Sequence, residues 1–251
     1  MSLVTLVSAH GSPGVTTTAL VLAATWPEPN GCLLVEADSF GGVIAARYGL
    51  SDSPGLSSLA ATTRGRFDDD AVEAHTQRLP GGLAVLTGSP SPEEARAVWR
   101  DVSGPLGEWA TSRIDLDVII DGGRIEPATR VPDGGPTLVV TRPSVDQLRP
   151  AGIRQAALAA AGIDASLLLV GDRPYGAEEV AATMQVPVAG VVAWDPGIAA
   201  VLTGAQGVIR DLRRSPLVRS AATLAERLAA DRAPTGRAHR DVPELAGEAG
   251  R

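Results

Sequence analysis

The sequence predicts an α/β domain built as a three-layer sandwich, with a mostly parallel central sheet of about seven strands and helices on both faces. Three observations carry that expectation. Short apolar, β-branched runs alternate with Ala-rich stretches of helical spacing along most of the chain. The runs show no apolar/polar alternation, as expected of strands buried on both faces. The first of them passes through a glycine-containing loop directly into a helical stretch.

In chain order, strands are expected over Leu3–Ser8, Cys32–Glu36, Leu83–Leu86, Val118–Asp121, Thr137–Thr141, Ser166–Val170 and Val188–Val192. Helices are expected over Thr16–Trp26, Gly42–Tyr48, Pro92–Trp99, Val145–Ala161, Ala177–Met184 and Pro216–Ala230. The stretch Ser51–Gln77 gives no clear pattern, and Arg64–Asp70 reads as an exposed turn. In the last helix Leu217, Val218, Ala221, Leu224, Ala225 and Leu228 recur at helical spacing, so that face is expected to pack on the sheet. Beyond it the chain has no hydrophobic period. The expected organisation is one domain over 1–231 and a disordered tail over 232–251.

Composition narrows the function classes. The chain has 251 residues, enough for one large α/β core. No apolar run approaches the ~20 residues of a membrane span. The first strand begins almost at Met1, which leaves no room for a signal peptide, and a cytoplasmic protein is expected. Cys32 is the only cysteine and reads as a buried thiol. A net charge of −7 argues against broad nucleic-acid binding. His75 and His239 have no companions at metal-ligand spacing. All 22 basic side chains are Arg; the sequence has no lysine.

The chemistry-bearing segments lie at strand ends. Leu3–Ser8 leads into Ala9, His10, Gly11, Ser12, Pro13, Gly14, Val15, Thr16, Thr17 and Thr18. A strand, a glycine-containing loop and a helix N-terminus cradle a phosphate with backbone N–H groups and the helix dipole. Thr16 stands where a hydroxyl would meet Mg²⁺. Next come Glu36, Ala37 and Asp38 at the end of the second strand, then Asp121, Gly122 and Gly123 at the end of the fourth.

These segments resemble the ParA/MinD family of P-loop ATPases, whose deviant phosphate motif reads K-G-G-x-G-K-[ST]-T. Aligned on Gly11, Gly14, Thr16 and Thr17, the two motif lysines become His10 and Val15. The resemblance implies a nucleotide site formed by Gly11, Ser12, Pro13, Gly14, Val15, Thr16, Thr17 and Asp121, binding ATP or ADP with Mg²⁺ held near Thr16 and Asp121. It makes Asp38 the carboxylate that would orient an attacking water, with Glu36 replacing the family's earlier Asp. Gly171 and Asp172 follow the strand used for base recognition, where the family often has Asn. The chain is also similar to actinobacterial ParA-like proteins related to TadZ and CpaE, localisation factors of tight-adherence pilus systems.

Val15 can supply no ammonium, so an Arg from elsewhere in the chain, with Arg124 and Arg142 as candidates, or one from a second subunit would have to replace it. The resulting expectation is a homodimerising pseudo-ATPase that positions a pilus, secretion or cell-pole machine through a protein partner. The alternative is an active ATPase switch for DNA partitioning or division-site placement. A small-molecule ligase or synthase on the same fold is a third possibility, without a substrate motif to support it. Arg210, Arg213, Arg214 and Arg219 form a basic cluster, read as a solvated or partner-contacting face in preference to a DNA-binding one. The C-terminal end, polar and containing Gly and Pro, is unlike an amphipathic membrane-targeting helix.

Overall fold

The computed structural model describes residues 3–11, 13–27, 31–63, 67–126, 129–204 and 214–231. Ser12, Arg210, Arg213, His239 and the expected tail lie outside the described residues, as does the start of the Arg64–Asp70 stretch.

Eight strands form one sheet: β1 (Leu3–Ser8), β2 (Gly31–Glu36), β3 (Gln77–Arg78), β4 (Ala84–Leu86), β5 (Leu116–Arg124), β6 (Thr137–Thr141), β7 (Ala165–Val170) and β8 (Val188–Val192). Their order is β3-β4-β2-β5-β1-β6-β7-β8. All neighbours are parallel except the two-residue β3, which pairs antiparallel with β4. β1 therefore lies inside the sheet, with β5 on one side and β6 on the other.

Nine helices are described: α1 (Val15–Ala24), α2 (Ile44–Tyr48), α3 (Leu56–Thr63), α4 (Asp69–His75), α5 (Pro92–Ser112), α6 (Val145–Ala160), α7 (Ala177–Met184), α8 (Pro196–Leu202) and α9 (Pro216–Ala230). Val4 and Leu6 of β1 enter a core shared with α1 and α9, while Leu3 faces a second core with α5, and Val7 a third with α6. That odd–even division along one strand is the three-layer arrangement. The apolar face of α9 does pack inward, through Leu217, Ala221, Leu224 and Ala225.

Two departures from the sequence reading have clear causes. α5 runs on past the expected end at Trp99 to Ser112, through the helix breakers Gly104 and Pro105. Trp99, Val102, Leu106, Trp109 and Ala110 keep the helical period across that point and are all buried, so packing outweighs the local breakers. The described part of the expected turn at Arg64–Asp70 opens α4 instead. Asp68 caps it by accepting from the Ala71 N–H at 2.8 Å. Among the described residues no helix is long and apolar enough to cross a membrane.

Candidate nucleotide site

β1 ends at Ser8, whose hydroxyl donates to the carbonyl of His10 at 2.6 Å and to that of Gly123 at 3.3 Å. The loop beyond is thus anchored to the end of β5, and the Ile125 N–H donates to Ser8 O at 2.9 Å. Gly14 closes the loop at φ +104°, a left-handed conformation that a side chain would strain. A Cβ there would meet nothing, so conformation and not space calls for glycine. Among the described residues no side chain caps α1, and its first turn carries no acid. The leading N–H groups of the helix are left for an incoming anion.

The two positions of the missing lysines are unlike one another. His10 is exposed, whereas Val15 is only 6% exposed and packs in the core beneath α1 with Leu6 and Ala19. Val15 can offer a ligand its backbone N–H and nothing more. Pro13 is buried; Thr16 and Thr17 are half-buried at the start of the helix.

Three carboxylates gather across the ends of β2 and β5, where Glu36 pairs in register with Asp121. Asp121 is fully buried. Its Oδ1 accepts from the Gly123 N–H at 3.2 Å, and its Oδ2 has no hydrogen-bond partner among the described residues. Burial pushes its pKa from 3.8 up to about 7, and the charges of Glu36 and Asp38 add to the rise. The Thr16 hydroxyl opposes it without meeting Oδ2 in hydrogen-bond geometry. Asp38 is half-buried; its Oδ1 accepts from Phe40 N–H at 2.8 Å, and burial raises its pKa too. Gly123, at φ +56°, lies against it so closely that a Cβ would overlap the Asp38 carboxyl group.

Glu36 does a different job, which the sequence reading missed. Its Oε1 accepts from Val43 and Ile44 N–H at 2.6 and 2.9 Å, and its Oε2 from Gly88 N–H at 3.0 Å. One buried carboxylate thus braces the first turn of α2 and the loop after β4. Burial raises its pKa, against those three N–H groups and the charge of Arg47. The clue was available in the long acid on a wholly apolar strand, followed by glycines able to approach it. A Cβ on Gly42 would lie 2.6 Å from Oε2.

The two Arg candidates separate. Arg124, at the end of β5 and in register with Ser8, stacks its guanidinium 3.8 Å from the Phe40 ring centroid, and its charge acts on Asp38. Arg142 stacks on Trp194 at 4.1 Å, in a cleft of about 690 Å³ also lined by Gly171, Asp172, Arg173 and Ser220. That cleft, at the ends of β7 and β8, is where the sequence reading placed the base.

The donor set fits a nucleotide-bound Mg²⁺. A buried carboxylate oxygen without a partner and a neighbouring hydroxyl are the few oxygen ligands such an ion takes from protein. Among the described residues no three His, Cys, Asp or Glu form a cage, so phosphate and water would supply its other ligands.

Comparison with solved structures agrees with this fold. The cell division ATPase MinD of Pyrococcus furiosus superposes with a TM-score of 0.67 at 22% identity, over 91% of this chain and 98% of that one. A ParA family ATPase from Chlorobium tepidum gives 0.69 at 21%, over 90% and 99%. The septum site-determining protein MinD of Pyrococcus horikoshii, complexed with Mg-ADP, gives 0.68 at 19%, over 90% and 95%. The fold is that of the MinD and ParA ATPases. No protein-family model matches the sequence, and neither does any curated relative.

Proposed function

We propose that this chain is a ParA/MinD-type positioning protein that binds nucleotide weakly, hydrolyses it slowly or not at all, and works as a dimerising scaffold for a pilus, secretion or cell-pole machine. The observation that carries the reading is Val15, buried in the core at the place of the phosphate-clamping lysine, in a chain with no lysine. Removing such a charge costs several kcal/mol of transition-state stabilisation, or orders of magnitude in rate. The rest of the site is kept: left-handed Gly14, the bare helix terminus, Thr16, Asp38 and Asp121. Nucleotide binding supplies fixed charge and loop order here. Mg²⁺, when bound, would screen the phosphates beside Thr16 and Asp121.

The MinD of Aquifex aeolicus has been solved in a complex with MinC, which makes a protein partner a natural proposal for this chain as well. Polar recruitment, the homodimer and the pilus connection belong to the same proposal. Preservation of Asp38, held by Phe40 N–H and pressed by Gly123, favours the active switch as second reading.

Light scattering of the purified chain with Mg·ATP, with Mg·ADP and without nucleotide tests the scaffold reading. A dimer of the same stability in all three conditions is expected. A monomer that dimerises only with Mg·ATP would favour the switch.

A further inference from the structure

We propose that Arg124 is the cation that replaces the missing lysine, binding the terminal phosphate of a nucleoside di- or triphosphate in its own subunit. This rests on the nucleotide-binding part of the proposed function. Among the described residues the site has two independent marks of a charged ligand: the uncapped α1 terminus behind Gly14, and the fully buried Asp121 Oδ2 without a partner beside Thr16. What the loop lacks is positive charge.

Arg124 is placed to supply it. Its backbone pairs with Ser8, the residue from which the phosphate loop departs, and Ser8 also bonds to the neighbouring Gly123 carbonyl. Its guanidinium stacks over the Phe40 ring, 3.8 Å from the centroid, and its charge reaches Asp38, the acid that would face an attacking water. Among the described residues it forms no ion pair; Arg96, on the same ring at 5.1 Å, is 4.0 Å from Glu126. Stacking on Phe40 holds the Arg124 fork, and among the described residues no hydrogen bond takes its side-chain N–H donors, which suits two-point binding of a phosphate. Lysine could not be held this way, because an ammonium has no plane to stack. Arg142, fixed on Trp194 in the other cleft, cannot serve both places.

The test is calorimetric titration of the full chain with Mg·ATP, Mg·ADP and AMP, comparing the native protein with Arg124→Gln, Arg124→Lys and, for equal loss of net charge, the exposed Arg100→Gln. A charge-assisted hydrogen-bonding pair predicts that Arg124→Gln weakens Mg·ATP on the order of 10-fold to 100-fold. AMP, which lacks the outer phosphates, should change less than about twofold, well below one charged hydrogen bond. Arg124→Lys should recover part of the loss and Arg100→Gln should bind as the native chain does. Equal weakening of AMP and ATP, or unchanged ATP affinity in Arg124→Gln, would overturn the assignment while leaving nucleotide binding intact. A native chain that binds none of the three at about 1 mM would overturn both the assignment and the reading beneath it.

Discussion

Replacing Asp121 with Asn should stabilise the metal-free protein, and by more at high pH. The carboxyl is buried completely, with its pKa raised from 3.8 to about 7. A raised folded-state pKa means that the unfolded chain gives up this proton first. The folded state is therefore unpenalised below about pH 4, loses stability as pH rises, and stops losing it once pH passes 7. At about 1.4 kcal/mol per pH unit the full deficit is about 4 kcal/mol. Asn fills the same space, can still accept from Gly123 N–H, and carries no charge to desolvate. Its advantage should grow from about 1.5 kcal/mol at pH 5 to about 4 kcal/mol at pH 8. For a chain of this size that corresponds to a melting temperature higher by about 10 °C at pH 8. Thermal unfolding of both proteins in EDTA, from pH 5 to 8, reads the effect. Glu36 and Asp38 titrate in both chains, so the difference between the two curves reads Asp121 together with its coupling to those two acids. Curves that run parallel would refute the claim that Asp121 ionises at a cost within the fold.

The other consequences can be checked with the same purified chain. Glu36→Ala leaves the N–H groups of Val43, Ile44 and Gly88 without their acceptor; unfolding in urea should show a loss of about 3 kcal/mol or more. Gly123→Ala forces a methyl into the Asp38 carboxyl at a left-handed position; it should destabilise by about 1–3 kcal/mol and shift the Asp38 resonance in carbon-detected NMR. Gly107→Ala brings a Cβ to 3.0 Å from the Pro132 Cβ, against a gain of about 1 kcal/mol for alanine inside a helix; the two should nearly cancel in thermal unfolding, with nucleotide affinity unchanged.

Much of the fold was legible because its strands are buried on both faces, so each appears as an uninterrupted apolar run. All seven expected strands are present: Leu3–Ser8, Thr137–Thr141 and Val188–Val192 end to end, the others with ends shifted by one to three residues. β5 shows where the reading fell short. Asp121, Gly122 and Gly123 look like a strand end, yet the strand continues to Arg124. A Cβ on Gly122 would lie 2.9 Å from the Val7 side chain and one on Gly123 would overlap Asp38, so these glycines permit close contact with β1 and with Asp38. α3, α4 and α8 went unread because they are short and each buries only one or two side chains. For the site, the loop and the acids at strand ends were visible as spacing. The brace made by Glu36 and the stacking of Arg124 on Phe40 were not, since both join residues on different elements and depend on side-chain reach. Val15 was read as a lost charge; its burial adds the physical reason that valine is comfortable there.

Without its lysine the phosphate loop should no longer support turnover. Phosphate release from Mg·ATP, followed for the native chain beside Asp38→Ala, decides this. The two should be indistinguishable, both at the background of the buffer. Release by the native chain that Asp38→Ala abolishes would contradict it, and would make this protein an active switch with an arginine in place of the lysine.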